Sequence, residues 1–568
     1  MSSVGNEYDV IVLGAGAGGM TAAAVAAAEG LRVLLVEKSG EVGGTTAISG
    51  GMVWIPANSK MLAAGVVDDL QQAELYLKRS VPAGCNAQLR STFLANADGA
   101  IGYLERYTSV RFRPVLNYPD YYPELAGATS GGRVLEPVPF CGRELGQHFR
   151  LLRAPLPGIM LFGGMMLDRA DIAHFRNVGR SLTSAARAAR LLAGYALQRL
   201  SAHRGTSLYL GNALAGRLLH SVLRLNVELT LNTDVIGLIH EDNRVAGVRL
   251  ARPRSDGSTN EVRARRGVVL ATGGFSHDQQ MRAKYFPAAA GALSAACPTC
   301  CGDGIRVATA LGARVGGMEP DAAFWTPVSR FERRDGSQGV FPHTVSERGK
   351  PGVIAVNRAG RRFTNEARSY HEFVRAMLRG DRHGPCIPAY LVCDRKFLWR
   401  YGLGAVRPFS LSLRAHLASG YLVRARTIDA LAHALSIDAD GLASTLKRYN
   451  ETARHGADPE FGRGGDIYQR YLGDPDHQPN PCVAPIEDPP FYAIALYPGD
   501  LGTAAGLVTD ENAQVLGPGG QPIENLYACG NDMRSIMNGA YPGPGITLGP
   551  ALTFGYLAAM HMAGCRIG

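Results

Sequence analysis

Tyr8-Asp9-Val10-Ile11-Val12-Leu13-Gly14-Ala15-Gly16-Ala17-Gly18-Gly19 is a short apolar run that breaks into glycines. An alanine-rich helix is predicted from Met20 to Glu29, then a second strand, Leu31 to Val36, ending at Glu37. Each part of a dinucleotide-binding βαβ unit is present in order. The glycines allow a tight turn and a close approach to a pyrophosphate, the helix N-terminus faces the phosphates, and an acid about 20 residues on serves the ribose hydroxyls.

Three further stretches extend this reading. Gly43-Gly44-Thr45-Thr46-Ala47-Ile48-Ser49-Gly50-Gly51 is a second loop rich in free backbone and small hydroxyls. Gly267 to Gly274 and Leu526 to Asp532 each run from an apolar strand into glycine. Strand-to-glycine ends so far apart in sequence imply one extended ligand gripped from several sides. A second complete βαβ fingerprint for a nicotinamide nucleotide is absent, so FAD is the expected resident cofactor. The fold class expected is α/β, a Rossmann-like FAD-binding domain with an inserted α+β catalytic domain and a basic amphipathic helical insertion.

With 568 residues the chain can hold two or more large domains. Its cysteines are scattered, and Cys297-Pro298-Thr299-Cys300-Cys301 is followed by no second pair at zinc spacing, so structural thiols and no metal site are expected. No signal peptide precedes the first strand, and no apolar run reaches the length of a membrane span, which implies cytoplasmic synthesis.

The expected plan places the FAD-binding domain at 1–142, 205–275 and 487–568, the catalytic domain at 276–486, and an insertion at 143–204. That insertion carries ten arginines, no lysine and three acids (Glu144, Asp168, Asp171), a balance of +7. It combines an apolar tongue, Ile159 to Leu167, with a helix predicted over Arg180 to Leu200. This is the pattern of a segment that lies on an anionic bilayer. Its charge is not interleaved with stacking aromatics, so nucleic acid is not an expected partner. Arg252 to Arg266 reads as a polar hairpin before a strand at Gly267.

Two aromatic stretches hold the candidate chemistry. In Tyr541-Pro542-Gly543-Pro544-Gly545, prolines delete their own donors while the Gly543 and Gly545 amides survive beside a phenol, and the apolar run Ala551–Met560 is a predicted helix. Such a unit suits a carbonyl oxygen that becomes negative during reaction. Tyr118, Tyr121 and Tyr122 lie among prolines, and one of them is expected to reach an apolar pocket.

The Gly14 loop, Thr45–Gly51, Ala271–Gly274 and Gly506–Asp510 with Leu526–Gly530 together resemble the fumarate reductase and succinate dehydrogenase flavoprotein superfamily. Within it, Tyr541–Gly545 followed by Leu548-Gly549-Pro550-Ala551 resembles the 3-ketosteroid Δ1-dehydrogenases. The resemblance covers most of the chain outside 143–204. It implies that FAD is held by Gly14, Gly16, Gly18, Gly19, Glu37, Lys38, Gly44, Thr45, Thr46, Ser49, Gly50, Gly51, Val235, Ala271, Thr272, Gly273, Gly530, Asn531, Thr547 and Leu548. Relatives that tether flavin covalently carry a histidine near the second glycine loop; Thr45–Gly51 has none, so FAD is expected to be non-covalent.

The resemblance also implies the catalytic set. Tyr541 and the Gly545 amide would polarise a 3-ketosteroid carbonyl, Tyr370, placed by Asn357–Glu366, would take the C2 proton, and Tyr121 would assist it. Hydride would pass from C1 to the flavin, and electrons on to a quinone-like acceptor. The setting expected is the inner face of the cell membrane, reached through 143–204. Two other readings are fumarate-reductase-like reduction of an activated double bond and a non-catalytic membrane-bound flavin partner.

Overall fold

The computed structural model describes residues 7–84, 86–179, 181–251, 259–317, 321–333, 335–344, 347–380 and 384–565. Its first sheet grows from the opening stretch. The strand Glu7–Leu13 pairs in parallel with Val33–Val36 on one side and with Thr259–Leu270 on the other. The far half of Thr259–Leu270 also pairs in parallel with Pro522–Ala528. The C-terminal ends of three strands therefore lie side by side at Leu13, Leu270 and Ala528, where an open α/β sheet binds its ligands. The three strand-to-glycine stretches thus meet at one sheet edge.

The helix Ala17–Ala28 is buried over most of its length. Its small residues let the C-terminal helix, Leu548–Ala563, approach closely: a Cβ on Gly555 would sit 2.7 Å from the Gly18 carbonyl oxygen. Two expectations change in detail. The second glycine loop begins as a short helix, Gly44–Ile48, turned by Gly43 in the left-handed region. The polar hairpin belongs to the sheet, because its return strand begins at Thr259 and not at Gly267, pairing antiparallel with Arg244–Ala251. Residues 252–258 at its tip lie outside the described residues.

A second, antiparallel sheet carries Gln338–Pro342, Ala323–Glu332, Phe491–Thr503, Ala389–Cys393 and Val353–Val356 in that order. It takes Phe491–Thr503 from beyond Ile486, where the expected boundary fell. Two chain passages join the sheets as one ribbon. Val315–Gly316 pairs with Gly506–Leu507, the Ala504 and Ala505 amides donate to the Ala322 carbonyl, and Ala323 faces Thr503.

The stretch Asn357–Glu366 is pinned by buried charge. Arg362 is bidentate to both Glu366 (2.8 and 2.7 Å) and Asp458 (2.7 and 2.9 Å), and Glu366 also accepts the Ala355 amide at 3.0 Å. This network fixes the chain just before Tyr370.

The insertion is stitched to the cofactor domain through Val42, whose amide donates to Leu151 and whose carbonyl accepts from Arg153. Its helix spans Leu182–Arg199, with the Ser181 hydroxyl accepting the Ser184 amide as cap. The tongue is only partly exposed: Met160, Met165 and Met166 turn inward, while Ile159 and Phe162 face out. Nor do all its arginines form a basic surface. Arg187 pairs with Asp171, Arg153 with Glu41, and Arg204 is buried against Phe149. Arg180 and the side chains of Arg169 and Arg176 lie outside the described residues.

Arg362→Met leaves buried Asp458 without its cation and Glu366 with Arg463 alone. The expected loss is about 3–5 kcal/mol, read as an earlier midpoint in urea denaturation.

Candidate active site

Tyr541 lies where the two sheets meet. Its loop rests on fully buried Trp54: a Cβ on Gly543 would fall 2.8 Å from the indole, and one on Gly549 would fall 2.5 Å from the Trp54 carbonyl oxygen. Gly545 has φ +94°, and a side chain there would strike the Met52 carbonyl at 2.5 Å. Its carbonyl accepts the Trp54 and Gly549 amides, while its own N–H has no hydrogen-bond partner among the described residues.

The Tyr118–Tyr122 segment is held against this loop. The Tyr121 amide donates to the Pro542 carbonyl at 2.9 Å, and the Tyr76 hydroxyl donates to the same oxygen at 2.6 Å. Buried Asp120 anchors the segment from below by accepting from the Trp54 indole (2.8 Å), Arg133 (2.8 Å) and the Thr129 amide (3.1 Å). Arg133 is in turn bidentate to Asp68. Asp120, Arg133 and Trp54 were not among the sequence candidates. The only signal was a lone tryptophan just after the second glycine loop.

Tyr370 is the first residue of the helix Tyr370–Arg379, capped by the Ser369 hydroxyl on the Glu372 amide. The Ser369-Tyr370-His371-Glu372 run is a capping-box signal legible in the sequence. It puts a phenol at the positive end of a helix.

The geometry brings the predicted phenols together. The Tyr121 hydroxyl donates to the Tyr370 oxygen at 3.3 Å, and the Tyr370 and Thr547 hydroxyls lie close to that of Tyr541. The Tyr370 and Tyr541 rings lie 5.1 Å apart, edge to face, and Tyr121 stacks at 5.7 Å from Tyr541. The rivals to Tyr121 are placed elsewhere: the Tyr122 hydroxyl bonds Glu372 at 2.9 Å, and Tyr118 stacks on Tyr471 at 4.5 Å. Tyr468, a further phenol, packs 4.7 Å from Tyr121. Burial holds the Tyr121 and Tyr370 hydroxyls well above the ordinary phenol range and raises Tyr541 too; the Tyr370 and Thr547 hydroxyls beside Tyr541 work against its rise. Beside Tyr541 is His371, fully buried and pushed down to about 3 by burial, its Nδ1 accepting the Trp325 amide.

The cofactor residues divide into two groups. Gly14, Gly19 and Gly51 are packing positions, where a Cβ would strike backbone at 2.2, 1.9 and 2.4 Å. At Gly16, Gly50 and Gly530 it would meet nothing within 4 Å, and at Gly44 only the Gly16 Cα at 3.9 Å. These open positions line a cradle at the N-terminus of Ala17–Ala28, whose first turn carries no acid and no side-chain cap. A pyrophosphate fits that cradle by charge and by shape.

Glu37 stands at the strand end, raised by burial, each carboxylate oxygen accepting one backbone amide (Ala15 and Ser39, both 2.9 Å). Lys38 pairs with Asp303 at 2.8 Å. Thr45 accepts the Cys297 amide, Thr46 the Ala17 amide, and Ser49 the Gly51 amide. Val235 is half-buried on the strand Asp234–Glu241. Buried Asp532, raised to about 6 by burial, ties two strand ends by accepting the Thr272 and Gly274 amides. A small cavity is lined by Phe324, Gly530, Asn531, Arg534, Thr547 and Ala551 among others; Leu548 opens the helix beside it, and Ala271 and Gly273 complete the adjoining strand end.

Comparison with known proteins shows the family. The FAD binding domain family model matches residues 9–548. The chain is 38% identical over 573 residues to 3-oxosteroid 1-dehydrogenase of Mycobacterium tuberculosis, covering 98% of each chain. It is 37% identical over 557 residues to 4-oxocyclohex-2-ene-1-carboxylate 5-dehydrogenase of Sinomonas cyclohexanicum, covering 98% of this chain and 93% of that one. The crystal structure of 3-ketosteroid Δ1-dehydrogenase from Sterolibacterium denitrificans, in complex with 1,4-androstadiene-3,17-dione, superposes with a TM-score of 0.91 at 40% identity, covering 99% of this chain and 100% of that one. FAD is the cofactor, and the chain belongs to the 3-oxosteroid 1-dehydrogenase family of the fumarate reductase and succinate dehydrogenase flavoprotein superfamily.

Proposed function

We propose that this FAD-dependent oxidoreductase forms the C1–C2 double bond of 3-ketosteroids. The reading is carried by one observation, the Tyr121–Tyr370 hydrogen bond with the Tyr541 ring packed against both phenols, beside a Gly545 N–H that no described residue accepts. A carbonyl carbon and its α-carbon are bonded neighbours, so an oxygen donor and a base for the α-proton must also be neighbours. Tyr541 and Tyr370 meet that requirement.

In this reading the Tyr541 hydroxyl and the Gly545 amide donate to the C3 oxygen, which makes the C2 proton acidic. Tyr370 accepts that proton as phenolate, favoured by the bond it receives from Tyr121 and by the helix N-terminus at which it stands. FAD, once bound, supplies the acceptor for the hydride that leaves C1. The cradle residues identified above would hold it, non-covalently, since Thr45–Gly51 offers no histidine.

The substrate's far end is read from the charges nearby. Arg348, fully buried near Tyr121, gives its N–H groups to the carbonyls of His343, Thr344, Glu366 and Arg368. Arg375 pairs with Glu372 and Asp321. With these cations committed and five tyrosines clustered, the site favours an uncharged, apolar ring system over the carboxylates of fumarate or an oxocyclohexene acid.

The insertion supports delivery from a lipid surface. The helix Leu182–Arg199 buries Ser184 and Ala188 yet exposes Leu182 (90%) and Leu197, with Leu200 (84%) beyond its end and exposed Arg190 and Arg199 among them. No helix among the described residues is long and apolar enough to cross a membrane. The proposed setting is therefore the cytoplasmic face of the membrane, with a quinone-like acceptor in reach.

Four outcomes are expected. Anaerobic androst-4-ene-3,17-dione bleaches the flavin absorbance while 4-oxocyclohex-2-ene-1-carboxylate and fumarate leave it unchanged or act only at far higher concentration; bleaching by the acid alone would overturn the substrate assignment. Tyr370→Phe keeps flavin but loses nearly all turnover, and Tyr541→Phe loses about 10²–10³ in rate. Since burial holds the Tyr370 proton on through neutral pH, wild-type kcat/KM rises with pH on the alkaline side, a limb that Tyr370→Phe lacks. Replacing Leu182, Leu197 and Leu200 with glutamine releases the protein from anionic vesicles in a sedimentation assay without changing turnover of a soluble steroid.

A further inference from the structure

Cys297-Pro298-Thr299-Cys300 is a β-turn: the Cys300 amide donates to the Cys297 carbonyl at 3.0 Å, and proline occupies the second position, where its fixed φ is favoured. A β-turn holds its end Cα atoms within about 7 Å, and a disulfide needs roughly 4.4–6.8 Å. The turn sets the two thiols beside each other. The Cys297 sulfur also lies 3.1 Å from the Thr299 hydroxyl and within the field of Arg153. Both sulfurs are buried, but the turn reaches the surface through exposed Pro298.

The reaction scheme of the dehydrogenase uses neither cysteine. A metal is no better explanation, since no group of three or more His, Cys, Asp or Glu able to hold one exists among the described residues. A thiolate paired with a thiol three residues away is the arrangement of redox-active dithiols.

We infer that Cys297 and Cys300 form a redox-modifiable dithiol, with Cys297 as the peroxide-reactive sulfur and Cys300 as the resolving one. The Cys300 thiol, the Thr299 hydrogen bonds and the Arg153 charge hold Cys297 below the ordinary thiol range, whereas Cys297 and burial hold Cys300 above it. The Cys297 thiolate attacks a peroxide oxygen; a sulfur–oxygen bond forms, the oxygen–oxygen bond breaks, and the leaving alkoxide or hydroxide takes up a proton. Cys300 then attacks the Cys297 sulfur, forming the disulfide, while the hydroxyl leaves as water with the Cys300 proton. The sum is two thiols and one peroxide giving one disulfide, one alcohol or water, and one water.

The position gives the modification a target. Cys300 lies 3.6 Å from the Thr45 hydroxyl and would touch a Cβ on Gly273 at 2.8 Å, and the Cys297 amide donates to Thr45. Drawing the sulfurs to bonding distance, about 2.05 Å, pulls on the second glycine loop and the Ala271–Gly273 strand end together. Cys301 points the other way, its thiol on the Pro298 carbonyl.

The inference is independent of the steroid assignment, because its readout is thiol chemistry. Holoenzyme freed of reductant is treated with hydrogen peroxide, alkylated with iodoacetamide, digested and weighed. The peptide spanning Cys297 and Cys300 is expected to lose two hydrogens, to escape alkylation at both sulfurs, and to regain both thiols with dithiothreitol. Cys300→Ser is expected to stop at a dimedone-reactive sulfenic acid on Cys297, and Cys297→Ser to leave Cys300 reduced at the same dose. Full alkylation of both cysteines in peroxide-treated wild type, a disulfide that uses Cys301 instead, or stoichiometric zinc bound by the untreated protein and lost in Cys297→Ser would each overturn it.

Discussion

The Pro542 carbonyl is the point on which the active site turns. It accepts the Tyr121 amide and the Tyr76 hydroxyl at once, so one backbone oxygen locks the Tyr118–Tyr122 segment onto the Tyr541 loop. A proline supplies that carbonyl with no competing amide of its own and a fixed φ. Once the two segments are joined, only Tyr370 has to arrive from the second sheet, and its place is set by the helix that begins with it. Three phenols from three regions of the chain become one packed cluster because each is held by backbone before its side chain is considered.

The same economy governs the cofactor domain, where similar glycines serve opposite needs. Gly14, Gly19 and Gly51 exist so that backbone can touch backbone; Gly16, Gly44 and Gly530 leave space for something the chain does not itself provide. Sequence shows both kinds as the same letter. What separates them is whether another strand or helix has come within reach, a tertiary fact.

That distinction explains what was legible in the residues and what was not. The βαβ order, the strand-to-glycine ends and the tyrosine–proline–glycine loop are local patterns, and the fold keeps them. The choice among Tyr118, Tyr121 and Tyr122 was not local: it depends on Asp120, which holds the segment by three hydrogen bonds to residues as distant as Trp54. Asp532 was quoted as part of a strand end but not as the carboxylate that clasps two of them. The hairpin at Thr259 was read as polar linker because its outer half faces solvent, and only the apolar half announced a strand. In the insertion, composition gave the excess of arginine but could not say that Arg153, Arg187 and Arg204 are engaged within the protein.

The pairing of Val315–Gly316, Ala322 and Ala323 with Thr503–Leu507 carries a mechanical consequence. Two cross-linked strands bend readily out of their own plane but resist sliding past each other, as a strap does. A motion admitting a bulky ligand between the two halves of the molecule would therefore be a rocking about one line. Tyr370 would return to the same register against Tyr541 after each cycle, with the hinge itself guaranteeing the alignment.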